Sequence, residues 1–289
     1  MSLSLLGQSS LKPAAELPID SLALRILTGV TEEERMEANV LFLERISDSL
    51  RQPASYSLAF DELKSVSRLR SPDDAFCLWT WQLTRRGGRF HHQGILIFPG
   101  EERNRLIFLS DTTDEFRPEW RKPLKVEDWL GCIYYHIERV KTDGEVYYTL
   151  LGYDQHDLRT RRKFIDILHI QEVDDRRMIR FGAPIFYTDI FQGETLDERP
   201  YRLLMQYSAR FSAMLRWDEK EDRIIMDHLS PKDAKMKGMY QFYGPDFTYD
   251  ALEWSKKGWV LEEGVKPESD INAPIVPPDR GEGLPPKKP

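Results

Sequence analysis

Long apolar runs are missing from this 289-residue chain. The most extended uncharged stretches, such as Gly94–Phe98, hold only a handful of residues, whereas a helix that crosses a bilayer needs about 20. No transmembrane helix is expected. Cysteine is nearly absent as well: Cys77 and Cys132 lie far apart, with no C-x-x-C pair and no zinc-type spacing, so no metal site is expected from them. They read as buried structural thiols, with one disulfide open to them if the chain is exported. A basic excess is also lacking. Forty-one Lys and Arg against 48 Asp and Glu leave a formal charge of −7, without the surplus by which a nucleic-acid binder gathers phosphates.

The signatures of the common enzymes are missing too. There is no G-x-x-x-x-G-K-[ST] phosphate cradle, no G-x-G-x-x-G at a strand-to-helix junction, no G-x-S-x-G elbow and no H-E-x-x-H. No cofactor is expected, and whether the chain is an enzyme stays open.

What is present suits a globular protein. With 40% hydrophobic, 31% charged and 11% aromatic residues, the chain can bury a real core and hold one large domain or two small ones. The opening Met1–Ser10 has the apolar and small-residue chemistry of the end of a secretory signal, without a basic region before it. Residues 1–19 are read as a signal remnant and lead, with a frayed cytoplasmic terminus as the alternative. Residues 20–64 form an N-terminal helical segment. A first short helix is capped by Asp20, stops at Gly29 and presents Leu22, Ile26 and Leu27 to one side. A second begins at the capping box Thr31–Glu34 and carries a stripe of Met36, Val40, Leu43, Ile46 and Leu50, closed by Pro53.

From residue 65 to 263 the apolar period changes to two. In Ala75–Leu83 the residues Cys77, Trp79 and Trp81 alternate with Phe76, Leu78 and Thr80, and Arg86–Arg89 turns the chain into Phe90–Phe98. Residues 131–141 and 145–153 form a second hairpin on Asp143–Gly144, where Asp-Gly supplies positive φ. A third joins Phe211–Trp217 to Arg223–Leu229. This pattern predicts a mainly β protein: a large antiparallel meander sheet or barrel with an N-terminal helical hairpin. Residues 264–289 hold seven of the 18 prolines and read as a disordered tail.

Three polar clusters could carry function. Leu151–Leu158 packs Asp154, His156 and Asp157 together, suited to a cation or an acid–base pair, or to a capped turn. In Ile224–Pro231, alternation sends Ile224, Met226 and His228 to one face and Ile225, Asp227 and Leu229 to the other. Tyr240–Ala251 sets five aromatics around Gly244-Pro245-Asp246, the composition of a saccharide- or peptide-binding wall or of a sheet-closing plug. Basic groups gather at Arg85, Arg86 and Arg89, and at Arg159, Arg161, Arg162 and Lys163, either to clamp an anion or to line solvated turns. His91-His92 lacks metal-ligand spacing because adjacent strand residues face opposite sides. Asp166 and His169 put a polar residue on each face of their strand, as in a pocket wall or a hydrogen-bonded core.

The segments Tyr148–Asp154, Arg162–Leu168, Phe181–Phe186, Asp227–Pro231 and Tyr243–Asp250 resemble an uncharacterised family of exported proteins from Bacteroidetes. The likeness spans most of residues 75–263, implies a periplasmic or secreted location, and implies no activity or catalytic residue. The sequence thus leads to an exported, non-catalytic binding module for a protein partner or small polar ligand, acting through Tyr243, Asp246, Tyr249, Asp250, Asp154, Asp157, His228 and Arg162. A membrane-associated assembly remains compatible with it. The alternative is a hydrolase in which Asp154, Asp157, His228 and Asp246 converge, with or without a metal.

Overall fold

The computed structural model describes residues 13–113, 122–174, 176–196 and 198–266. Two helices, α1 (Ile19–Thr28) and α2 (Glu32–Leu50), precede the sheets. α1 starts after Pro18 without a side-chain cap, so Asp20 lies inside the first turn instead of capping it. The Thr31 hydroxyl accepts from the Glu34 amide at 3.2 Å, and the Glu34 carboxylate accepts from the Val30 amide at 3.0 Å. That reciprocal pair fixes the start of α2.

The buried faces differ from the expected stripes. α1 buries Leu22, Ala23 and Ile26 and leaves Leu27 exposed. α2 buries Ala38, Asn39, Phe42, Ile46 and Leu50, while Met36 and Val40 stay 44% and 63% exposed. Helical spacing alone admits two neighbouring stripes. The one chosen meets sheet residues, since the Phe42 ring stands edge-on to Trp81 at 5.3 Å and Asn39 Oδ1 accepts from Trp81 Nε1 at 2.8 Å.

The first sheet has the order β1 (Ser67–Arg70), β2 (Cys77–Thr84), β3 (Phe90–Phe98), β4 (Arg105–Ser110). Alternation works here as expected. Cys77, Trp79, Trp81, Leu83, Ile95 and Ile97 pack on the helices, while Phe76, Leu78, Leu96, Phe98 and Leu109 face the next layer. At the β2–β3 tip the basic cluster is used internally: Arg85 and Arg86 pair with Glu32 and Glu33 at the start of α2, where acidic residues also suit the helix dipole.

The middle sheet is built from β5 (Ile133–Thr142), β6 (Glu145–Asp154), β7 (Thr160–Val173), β8 (Arg176–Phe181) and β12 (Leu203–Ser208). Asp143 and Gly144 both take positive φ, 51° and 82°, at the β5–β6 turn. The 14-residue β7 is long enough to pair with β12 along Thr160–Ile165 and with β8 along Leu168–Val173. The outer sheet runs β13 (Leu215–Asp218), β14 (Arg223–Pro231), β15 (Tyr243–Trp254), β16 (Trp259–Glu262), β9 (Phe186–Tyr187). Its last pair is parallel. A two-stranded ribbon, β10 (Ile190–Phe191) and β11 (Glu194–Thr195), stands apart.

The molecule is mainly β, with helices, first sheet, middle sheet and outer sheet stacked in that order. No barrel closes. The middle sheet is covered on both faces: Tyr134, Tyr148, Leu150, Phe164 and Leu168 pack on the first sheet, and Leu151, Ile165, Ile167, Met205 and Tyr207 pack on the outer sheet with Ile224, Met226, Leu252 and Trp259. Cys77 and Cys132 are free and buried. They belong to different cores, so the fold leaves them as thiols. No helix among the described residues is long and apolar enough to cross a membrane. The expected signal remnant up to residue 12 and the expected tail from residue 267 lie outside the described residues.

Candidate functional site

A cleft of about 150 Å³ opens where the β10–β11 ribbon, the edge of β12 and the turn before β15 meet, lined by residues that include Phe191, Glu194, Leu204, Gln206, Tyr240 and Tyr243. Each wall has a local cause. Gln192 and Gly193 both take positive φ, 53° and 70°, which gives the ribbon its tight reversal. The Gln192 side chain then ties it to β14, donating to the Asp227 carbonyl at 3.3 Å and accepting from the Leu229 amide at 2.5 Å. Across from it, Tyr240 and Tyr243 stand 5.2 Å apart at their ring centroids. The Tyr240 hydroxyl donates to Glu194 at 3.2 Å, and the Tyr243 hydroxyl accepts from the Gly238 amide at 2.9 Å. Burial pushes the Tyr240 hydroxyl up to about 12, with Glu194 adding to the rise, so it remains a donor at neutral pH. A wider neighbouring cleft of about 640 Å³ shares Leu196, Glu198 and Arg199 and is rimmed by Asp189 and Glu263. The Arg199 guanidinium covers the Tyr187 ring there at 4.0 Å.

Behind the smaller cleft a chain of polar groups runs into the layer between the first and middle sheets. Arg162 Nε donates to Gln206 Oε1 at 3.4 Å. Another guanidinium nitrogen of Arg162 lies 3.9 Å from Asp154 Oδ2, and Asp154 Oδ1 lies 3.7 Å from His92 Nε2. On its other side the His92 ring reaches Asp111 Oδ2 at 3.3 Å. One imidazole therefore sits between two carboxylates. His92 and Asp154 are closed to solvent, and His92 Nε2 and Asp154 Oδ2 have no hydrogen-bond partner among the described residues.

The two carboxylates are tuned in opposite directions. Burial alone would raise Asp111, but its bond and charge interaction with His92, together with Thr113, hold it well below the usual carboxylate range. Its Oδ1 accepts from the Thr113 amide and hydroxyl at 2.8 and 2.5 Å and from the Gly131 amide at 3.1 Å, while Oδ2 takes the His92 amide at 2.7 Å. Asp154 accepts one bond, from the His156 amide at 2.7 Å. Its burial outweighs the charges of His92, His156 and Arg162 and raises its carboxyl.

The residues singled out from the sequence separate into groups. Tyr243 lines the cleft. Arg162 and Asp154 meet behind it, and Asp157 lies 3.6 Å from His156, whose ring also reaches Asp154 at 3.8 Å. Asp157 also accepts from the Arg159 and Thr160 amides at 2.7 Å each, a capped turn that leads straight into β7 and not into a helix. The others belong to the outer sheet. His228 meets Asp250 at 2.7 Å, Tyr249 is the register partner of Asp227, and Asp246 accepts from the Thr248 amide and hydroxyl at 3.0 and 2.6 Å. Asp154 and Asp157 thus share His156, while His228 and Asp246 have partners of their own.

Residues 243–250 form the first part of β15. One local correction follows. The β14–β15 register shifts between Asp227 and Leu229, with three residues of β15 opposite the single His228, and Leu229 lies in the same core as Ile224 and Met226, whereas uninterrupted alternation would have opposed them.

Sequence reasoning missed His92, Asp111 and Gln206. A signal existed for His92, because its parity is that of Leu96 and Phe98, an apolar face. Asp111 and Gln206 carry no such mark, since their partners are set by how the sheets stack. Among the described residues no three His, Cys, Asp or Glu side chains come together to hold a metal ion. Compared with known families, curated proteins and solved structures, the chain matches no family model, no curated protein and no solved structure.

Proposed function

We propose that the protein is an exported, non-catalytic binding module, whose cleft between the β10–β11 ribbon and the Tyr240–Tyr243 turn takes one ring-sized polar group of a larger ligand. The observation that carries this reading is the pairing of two tyrosines with Glu194 and Gln206 around one small opening. A volume near 150 Å³ is about that in which a single six-membered ring fits. Aromatic walls with a few placed polar groups are the usual make-up of a small-molecule site. Arg162 behind Gln206 fixes that amide with its oxygen turned toward the guanidinium, so its nitrogen, 3.2 Å from the Thr160 hydroxyl, is held in place as well. Export rests on the resemblance to exported proteins.

The test is calorimetric titration with a panel of methyl glycosides and blocked single amino acids. One class should bind the wild type, and Tyr240→Ala or Gln206→Ala should weaken it by about tenfold, the equivalent of about 1.4 kcal/mol. Phe247→Ala, an exposed change on β15 beyond Tyr243, should leave binding unaltered. Equal loss in all three variants would remove the cleft from the account.

Hydrolysis is supported by a different observation, the opposed tuning of Asp111 and Asp154 around His92. Such chemistry would be built on His92 and not on His228, and His92 is closed to solvent. Turnover of nitrophenyl esters or glycosides by the wild type and not by His92→Ala would establish it.

A further inference from the structure

The basic run Arg159–Lys163 is divided by strand alternation. Arg162 turns toward the first sheet, while Arg161 and Lys163 turn toward the outer sheet. There they meet a second group of polar side chains, separate from the cleft. Lys163 is the register partner of Tyr153 on β6, and its Nζ lies 5.6 Å from the centroid of the Tyr135 ring. Tyr135 is anchored across the layer, its hydroxyl donating to the Leu215 carbonyl at 2.8 Å. Arg161 donates to the Tyr153 hydroxyl at 3.1 Å, and its Nε is buried with no hydrogen-bond partner. The charge of Asp227 on the outer sheet reaches Lys163, and Asp227 accepts from the Met214 amide at 2.6 Å. Tyr207 and Asp246 complete the charged and titratable surroundings.

No ion pair or hydrogen bond within the described residues fixes the Lys163 ammonium. It rests on the Tyr135 ring and is part-exposed. Burial pushes it down to about 8, against the pull of Asp227. Burial raises Asp227 in turn, with Asp246 adding to the rise. A desolvated amine beside a carboxyl group that can carry a proton is the arrangement that activates lysine toward carbonyl carbon. Arg161 stands two residues away on the same strand face, its Cα about 7 Å from that of Lys163, and its unfilled Nε supplies a donor for a carboxylate.

We propose that Lys163 captures small α-oxo acids, such as glyoxylate, as an imine, with Arg161 holding the carboxylate of the acid. The amine lone pair forms the N–C bond as the carbonyl π pair moves to oxygen. The resulting carbinolamine loses its hydroxyl and a nitrogen proton as one water, so that amine and oxo acid become imine and water with no change of oxidation state. Asp227, whose charge reaches Lys163, gives the proton to the leaving hydroxyl and takes one back from nitrogen through an intervening water.

The experiment is reductive trapping of the full chain with glyoxylate and cyanoborohydride at pH 7.5, followed by peptide mass mapping. The exposed Lys141, Lys232 and Lys235 serve as internal controls. Lys163 should be labelled at least about tenfold faster than these, because an amine near 8 is roughly a hundredfold richer in its neutral form than one near the ordinary 10.4. Propionaldehyde, which has no carboxylate, should lose much of that preference, and Arg161→Met should abolish the difference between the two reagents. Asp227→Asn should slow Lys163 alone. Labelling of Lys163 no faster than the three controls in the wild type overturns the proposal without recourse to any variant. Equal preference for both reagents overturns the role of Arg161.

Discussion

Asp111 and Asp154 flank one imidazole, yet their replacement by asparagine should have opposite consequences. An asparagine at 111 can keep one oxygen. If that oxygen serves Thr113 and Gly131, the new NH₂ group faces the His92 amide, which also donates, and the bond to the His92 ring loses its charge. Two bonds to a charged acceptor, each worth about 1.5–3 kcal/mol, put the loss at about 3 kcal/mol or more, or about 6–12 °C in Tm for a domain of this size. Asp154 accepts a single bond at Oδ1 and leaves Oδ2 unpartnered, so Asp154→Asn should lie within about 1 kcal/mol of the wild type at pH 7. The pH dependence separates them further. The Asp111 carboxyl is lowered in the fold, so its contribution is full above the unfolded value of about 3.9 and fades as pH falls through the folded value. The Asp154 carboxyl is raised, so its contribution is full below about 3.9 and is lost as pH rises through the folded value. Urea unfolding of the two variants between pH 4 and 8 reads both effects. The gap between wild type and Asp111→Asn should hold steady across neutral pH, and Asp154→Asn should gain on the wild type as pH rises from 4. Equal losses at pH 7, or an Asp154→Asn variant that falls behind as pH rises, would refute the assignment.

Three further outcomes are expected. A Cβ at Gly152 would lie 2.6 Å from Cys132 Sγ and 3.1 Å from the Tyr134 ring, both fully buried, so Gly152→Ala should cost about 1–3 kcal/mol and move the urea midpoint without changing the slope. Arg202 donates to Asp166 at 3.1 Å and to the Phe181 carbonyl at 2.8 Å, wholly inside the protein; Arg202→Met should cost about 3–5 kcal/mol by leaving that carboxylate unpaired, and adding Asp166→Asn should restore part of it in chemical denaturation. Cys77 and Cys132 are buried, free and raised by burial, so a thiol reagent should find neither in the native protein and both in guanidinium, with the same electrophoretic mobility before and after reduction.

Much of the architecture was legible because it depends on local rules. The change of period near residue 65, the Asp143-Gly144 reversal and the Thr31–Glu34 cap are each set by neighbours in the chain, and each appears where the pattern places it. The helix stripes were less legible: Met36 and Val40 are as apolar as the residues that are buried, and only the position of Trp81 selects Asn39 and Phe42 as the inward face. The register irregularity between Asp227 and Leu229 has no local signature, and Leu229 joins the core of Ile224 and Met226 beyond it. At the site, Tyr243, Asp154 and Arg162 were identifiable as polar or amphipathic groups in unusual company. What joins them, Gln206, His92 and Asp111, comes from three other strands or strand ends.

The stacking of three sheets explains why the polar residues matter so much here. In a two-layer protein each sheet has a wet face, and a histidine or aspartate at every second position needs no partner. The middle sheet has no wet face, so each polar side chain on β6 and β7 must find a partner inside or lie at an end where the layers part. Asp166 takes the first course, enclosed by Arg202 and the Tyr134 hydroxyl at 3.1 Å from each. Asp154, Arg162 and Lys163 take the second, at the end of the sheet where β6 turns into β7. Strand alternation then divides that end between two compartments, Arg162 backing the tyrosine cleft and Lys163 turned toward the outer sheet. A substitution that moved the β6–β7 register by one residue would exchange the two compartments, and both binding at Tyr240 and trapping at Lys163 would be lost together.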